Sequence, residues 1–205
     1  MKRKIKIKLP LIIMILCIIP ALVITTITTK SNKEKQQELI FPEEASPDSY
    51  PVINENDTII YPYVEENVKI GKSYYDYKGE EQSQENSLIL HDNTYYQSEG
   101  IDFVSEKEFE VLAIYDGTVT NIKEDDNVGK TVEIKHENGL ISIYQSLKEV
   151  NVKKNDIVSK GQVIGMSGTN EMEKDLGNHL HLEIYENGQA NNPENYLGKT
   201  YEKKN

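Results

Sequence analysis

The sequence predicts an all-β domain, an antiparallel sandwich or roll, standing behind one N-terminal transmembrane helix. Three observations predict it. From Thr58 onward, short β-branched runs alternate with turn dipeptides and helical periodicity is weak. Asn138-Gly139 separates two such runs, a hairpin signal because both turn positions need positive φ. Residues 9–29 form a run with no charged side chain. At ~1.5 Å per helical residue such a run spans a hydrocarbon core of ~30 Å.

Taken in order, residues 1–8 carry Lys2, Arg3, Lys4, Lys6 and Lys8, a basic cluster that stays on the cytoplasmic side and places the C-terminal part outside. The span runs from Leu9 to Thr29. Pro10 sits at its start, where a helix tolerates proline, and Pro20 kinks it. A cleaved leader is the rival reading, but the run is long for one and Thr25 to Thr29 offers no small-residue cleavage site. Residues 30–57 read as a linker, with mixed charge, Pro42, Pro47 and Pro51, and few large apolar side chains. Residues 58–198 read as the folded domain and 199–205 as a C-terminal tail. Within the domain, strands are expected over 111–114, 118–122, 131–136, 140–144, 157–158, 162–165 and 180–185. Asp116-Gly117, Asn138-Gly139, Lys160-Gly161 and Asn187-Gly188 punctuate them.

Composition removes several function classes. The net charge is −11; the first eight residues carry +5, so the part beyond residue 29 carries −16. Such an acidic ectodomain does not bind nucleic acid, whose phosphates require clustered Lys and Arg. It also disfavours all but weak contact with an anionic wall polymer such as peptidoglycan. Cys17 is the one cysteine, which excludes an internal disulfide and any multi-cysteine zinc or iron–sulfur site. A metal here would be held by His and carboxylates.

The sharpest local pattern is His179-Leu180-His181-Leu182-Glu183-Ile184. On a strand, alternate residues share a face, so His179, His181 and Glu183 point one way and Leu180, Leu182 and Ile184 enter the core. Two histidines two apart allow one to ligate a metal and the other to face the same site as an acid or base. They are equally compatible with two half-exposed histidines of no special role.

Several further segments, in order, resemble the M23 (lysostaphin/LytM-type) zinc endopeptidases. Gly100-Ile101-Asp102-Phe103 resembles the end of the first metal motif, H-x-G-x-D. Residues 111–119 resemble the P-V-x-A-x-x-G-x-V hairpin, 132–139 the V-x-I-x-H-x-N-G segment and 158–165 the V-x-x-G-Q-x-I-G segment. His179 to Ile184 resembles the terminal H-L-H-F-E-I, and 192–196 the usual exit. The resemblance implies an antiparallel M23/LytM-type β-sandwich (roll). It also implies that zinc would be held by the first-motif His, its Asp and the second His of H-x-H. A further His, in a Y-x-H-L segment, would work with the first His of H-x-H.

The departures from that pattern carry the functional expectation. Ser98 stands where the first metal-binding His belongs, and a neutral hydroxyl is a poor zinc ligand. Ser146, in Tyr144-Gln145-Ser146-Leu147, stands where the catalytic His belongs, and serine is not an unassisted general base. Asp102 and His181 remain as two ligands and His179 as one of two catalytic histidines. The expectation is therefore a pseudoenzyme with no metal, no cofactor and no catalytic residue. His91, folding back, and Glu99 are considered as substitute ligands, although strand alternation points Glu99 away. His136 is expected to be a satisfied structural group. Residues 171–175 read as a solvated acidic loop or as part of a partner surface. Tyr61, Tyr63, Tyr74, Tyr75 and Tyr77 read as core and strand-face residues or as an interface.

The loop from Gly168 through Asn178 resembles a sporulation branch of the same family. That resemblance implies a single-pass forespore membrane protein that is not an enzyme. Its ectodomain, in the space between forespore and mother cell, would bind the ectodomain of a partner such as stage III sporulation protein AH and build a trans-envelope channel. The alternative is a zinc endopeptidase that cleaves peptidoglycan crosslinks with an unconventional third ligand.

Overall fold

A computed structural model describes residues 58–137 and 139–201. The predicted cytoplasmic tail, the span from Leu9 to Thr29 and the linker lie outside the described residues. Among the described residues no helix is long and apolar enough to cross a membrane.

The chain runs through β1 (Lys69–Lys72), helix α1 (Glu81–Asn86), β2 (Leu88–His91), β3 (Thr94–Gln97), β4 (Ile101–Val104), β5 (Glu110–Leu112), β6 (Gly117–Asp125), β7 (Gly129–His136) and β8 (Ile141–Val150). It continues through β9 (Ile157–Val158), β10 (Val163–Ser167), β11 (His179–Glu186) and β12 (Gln189–Asn191). Ten of these strands form one antiparallel sheet ordered β1-β4-β11-β8-β7-β6-β9. β10 branches off to pair with β8 and β5, and β12 pairs with β11. β2 and β3 form a separate hairpin. The all-β, antiparallel expectation holds, and every strand expected from residue 111 onward is present, although β8 continues six residues beyond its expected end, to Val150.

Turn chemistry sets the register. Asn187 (φ 54°) and Gly188 (φ 78°) join β11 to β12 with Glu186 paired to Gln189, a two-residue loop with both positions left-handed. β2 and β3 turn in the same way through Asp92 (φ 47°) and Asn93 (φ 59°), with His91 opposite Thr94. That hairpin was not expected, because Asp-Asn is a weaker turn signal than a dipeptide containing Gly.

Among the described residues most of the buried apolar side chains form one cluster. Leu180, Leu182 and Ile184 of β11 enter it as alternation requires, beside Ile101 and Phe103 of β4, Val132 and Ile134 of β7, and Tyr144 of β8. The Tyr144 hydroxyl is not orphaned there, since it accepts from the Ile114 amide at 3.0 Å. Tyr63 packs on Phe103 and Phe109, with ring centroids at 5.1 and 6.1 Å, so this member of the tyrosine-rich segment serves the core. Tyr77 is exposed.

The two ends of the domain meet. Thr58 forms a bridge with Thr200, the Ile59 amide donates to the Lys199 carbonyl at 3.0 Å and the Gly198 amide donates to the Ile59 carbonyl at 2.8 Å. The Lys160 ammonium donates to the Thr58 carbonyl at 3.3 Å.

Leu182 is fully buried in the middle of β11. Leu182→Ala is expected to cost about 2–5 kcal/mol, because the surrounding sheet cannot collapse into the void. Urea denaturation followed by circular dichroism measures it.

Candidate functional site

The site is built on one cross-strand row. β4 lies between β1 and β11, and β11 lies between β4 and β8. The register places Lys72, Asp102, His181 and Gln145 opposite one another in sequence across the four strands. Side chains on directly opposed residues stand ~4.5–5.5 Å apart at their Cβ atoms. Asp102 and His181 therefore meet by construction: His181 Nδ1 lies 2.8 Å from Asp102 Oδ1. Gly100 lets them do so. A Cβ at this position would strike the Leu182 carbonyl and come within 2.8 Å of His181 Nε2.

The third member of the cluster comes from outside the sheet. Glu173 sits just before the short 3-10 turn Lys174–Leu176, in the connection between β10 and β11. Its amide donates to Asn170 Oδ1 at 2.6 Å and the amide of Met172 donates to the Asn127 carbonyl at 3.0 Å. These bonds hold the loop over the sheet and turn the Glu173 carboxylate inward, with Oε2 at 3.6 Å from His181 Nδ1. Glu173 is buried, as are Asp102, His181 and Glu183. The expected solvated acidic loop is thus corrected at one residue. Glu171 and Asp175 are exposed, whereas Glu173 faces the site.

The electrostatics follow from this crowding. Burial alone would lower the His181 pKa. The Asp102 carboxylate beside it, with Glu183 and Glu173, outweighs burial and holds it well above the usual imidazole range. Burial first, then the Asp102 charge, pushes the Glu173 carboxyl up to about 7. On its far side His181 Nε2 faces Glu183 Oε1 at 3.5 Å, and Gln145 donates to that same oxygen at 3.0 Å.

A second buried network adjoins the first. His179 Nδ1 lies 2.8 Å from the Gly177 carbonyl, which can only accept, so Nδ1 carries the hydrogen. Nε2 then accepts from the Ser146 hydroxyl at 2.8 Å, and Ser146 Oγ accepts from Asn170 Nδ2 at 2.7 Å. Burial lowers the His179 pKa and keeps the ring neutral. Ser146 and His179 have no solvent exposure, so this pair presents no nucleophile to a substrate. Ser146 holds φ 63°, a left-handed conformation on a non-glycine residue, fixed by its amide donating to the Val128 carbonyl.

The other expected residues divide. Ser98 is buried and its hydroxyl donates to the Gly100 carbonyl at 3.0 Å. His91 stands on β2 beside Asp92, away from the cluster, and Glu99 accepts from the Tyr185 hydroxyl at 2.9 Å. Neither of the two considered substitutes joins Asp102 and His181. His136 is a satisfied structural group, with Nδ1 donating to the Asp116 carbonyl at 3.0 Å and Nε2 accepting from Ser142 at 2.7 Å. Sequence reasoning missed Glu173. It is one of three acids in the loop preceding H-x-H, and only the loop's path shows that it turns inward.

With the geometry in hand, the chain can be compared with known proteins. The model of peptidase family M23 matches residues 96–193. A chain of the SpoIIQ–SpoIIIAH pore-forming complex is 40% identical, with a TM-score of 0.68 over 71% of this chain and 94% of that one. The chain belongs to peptidase family M23. Stage II sporulation protein Q of Bacillus subtilis (strain 168) is 39% identical over 155 residues, 74% of this chain. This M23 chain spans 55% of that relative's length. The catalytic domain of lysostaphin from Staphylococcus simulans, at 24% identity and a TM-score of 0.51 over 65% of this chain and 94% of that one, shares the fold.

The M23 fold implies zinc, and the donor set can be tested against it. Asp102 Oδ2 and Glu173 Oε1 are buried with no hydrogen-bond partner. One imidazole and two carboxylates are acceptable zinc donors, so Asp102, Glu173 and His181 fit the ion where Ser98 does not. Bound there, zinc would supply Lewis-acid polarisation of a carbonyl. The chain's own residues offer less. Asp102 and Glu183 orient His181 from its two sides, while His179 is spent on Gly177 and Ser146.

His136 yields a pH prediction. Burial lowers its pKa. A base with a depressed folded pKa contributes stability above its unfolded pKa of ~6.5, and that stability is lost as pH falls through the folded value. His181 and Glu173, both held above their usual values, act in the opposite sense, so the sign is read from the difference between two proteins. On acidification from neutral pH the melting temperature of the wild-type chain is expected to drop relative to that of His136→Asn, which cannot take up a proton at this position. Differential scanning calorimetry of the two proteins across that range makes the comparison.

Proposed function

We propose that this chain is a membrane-anchored sporulation protein whose M23 domain acts by binding rather than by cleaving. Its occupant is the ectodomain of a partner resembling stage III sporulation protein AH. The observation that carries this reading is the 40% identity with a chain of the SpoIIQ–SpoIIIAH pore-forming complex across 94% of that chain. On this reading the run from Leu9 to Thr29 is the anchor and residues 30–57 the tether. The domain stands between forespore and mother cell as part of a trans-envelope channel. The buried Ser146–His179 network supports the non-catalytic half of the proposal, because it seals the place from which a second imidazole would act.

A zinc endopeptidase is the second reading, and Glu173 is the observation that favours it, since it provides the third donor that Ser98 does not. It lacks a catalytic imidazole at position 146 and an accessible one at 179.

The full-length chain is expected to retain a purified stage III AH-type ectodomain on an affinity column and to leave peptidoglycan crosslinks uncut. Failure to retain the partner overturns the assembly reading. Crosslink cleavage that disappears in His181→Ala replaces it with the peptidase.

A further inference from the structure

The sheet carries two donors that face each other, and a loop outside the sheet contributes a third. Asp102, Glu173 and His181 each present one donor atom, all within 4.8 Å of one another. His181 Nδ1 lies 2.8 Å from Asp102 Oδ1 and 3.6 Å from Glu173 Oε2. Tetrahedral zinc with bonds of ~2.0–2.1 Å keeps its ligands ~3.3 Å apart, so these values bracket the spacing an ion requires. The 2.8 Å contact is a hydrogen bond from His181 Nδ1, whose proton an entering cation would displace, as metal binding generally does.

We propose that Glu173 closes a divalent-cation site with Asp102 and His181, a donor set of one imidazole and two carboxylates in which Glu173 does what Ser98 cannot.

Three independent features support it. First, Asp102 Oδ2 and Glu173 Oε1 are buried and have no hydrogen-bond partner, although buried carboxylate oxygens are costly to leave so. Both residues are more than nine-tenths buried, Asp102 at 0% and Glu173 at 7% exposure. Second, the local charge is unbalanced. Asp102, Glu173 and Glu183 surround one imidazole, and the neighbouring Lys72 ammonium is directed at the Leu88 carbonyl at 2.8 Å. Third, the far side of His181 is arranged as in metal-binding histidines, whose other ring nitrogen faces a carboxylate. Here that carboxylate is Glu183, itself fixed by Gln145.

The cation would act as a staple rather than as a catalyst. Glu173 belongs to the loop between β10 and β11, while Asp102 and His181 belong to the sheet. An ion shared by the three ties that loop to β4 and β11 next to a cleft lined by Tyr96, Gln145, Asn170, Met172 and Glu183. The inference is independent of the partner reading, since a stapled loop is compatible with binding or with cleavage. The donor chemistry suits a first-row divalent ion, with zinc favoured by the imidazole and manganese by the carboxylates.

The test uses the full-length chain, stripped with EDTA and titrated with Zn2+ or Mn2+ by isothermal calorimetry, with metal content read by elemental analysis. One equivalent is expected. Glu173→Gln is expected to weaken binding by at least about ten-fold, and Glu171→Gln, exposed on the same loop, to leave it unchanged. Preference for zinc or for manganese identifies the ion, and either supports the site. Because Glu173→Gln removes a buried charge, its folding is checked by its melting temperature in EDTA. Should it fail to fold, X-ray absorption of the metal-loaded wild-type chain decides, with one nitrogen and two carboxylate ligands expected. Wild-type affinity in Glu173→Gln, a coordination shell without a histidine nitrogen, or no binding of either ion overturns the proposal.

Discussion

The antiparallel register between β4 and β11 is the constraint on which the site depends. It sets Asp102 opposite His181 and brings their side chains into hydrogen-bond contact. A slip of β11 by one residue would send His181 to the opposite face, away from Asp102, and bring Leu182 out of the core. Burial of Leu180, Leu182 and Ile184 therefore does more than stabilise the sheet. It locks the strand phase that keeps an ionisable pair sequestered, and a buried charge pair of this kind is tolerated only while its partners stay in place. Gly100 belongs to the same constraint, because any larger residue would push β4 away from β11 where the pair must meet.

Much of this was legible in the chain itself. Alternation in 179–184 assigned both faces of β11 correctly, since a period of two is hard to mistake when every second residue is Leu or Ile. Asn187-Gly188 marked its turn because Gly meets the demand for positive φ directly. His136 could be read as structural, and it is bonded at both nitrogens. The β2–β3 hairpin was hidden, because Asp92 and Asn93 adopt the left-handed region without glycine. Glu173 was hidden for a different reason. Its neighbours Glu171 and Asp175 are solvated, and no local pattern distinguishes the one acid that turns inward. Its direction is set by its own amide bond to Asn170 three residues earlier and by the bond from Met172 to the distant Asn127 carbonyl, the second of which no local window of sequence contains.

The two serines expected to mark lost chemistry turn out to be physically unlike each other. Ser98 is self-contained, its hydroxyl satisfied by a carbonyl two residues away. Ser146 is a junction. It links β8 to Asn170 in the loop and to His179 in β11, while holding a left-handed backbone that costs an L-residue roughly 1–2 kcal/mol. The first could be exchanged with mostly local consequences. The second is woven into the same loop that carries Glu173, so the two polar networks share one support.

The meeting of the domain's two ends has a mechanical consequence. Thr58 and Ile59 are fastened to Gly198, Lys199 and Thr200, and the Lys160 side chain clasps the same point. A pull on the chain preceding residue 58 is met there first, by bonds that lie at the seam rather than in the β4–β11 ladder. Such a seam works as a strain relief. These few bonds can be lost and remade while the row from Lys72 to Gln145, held in the sheet, keeps its register.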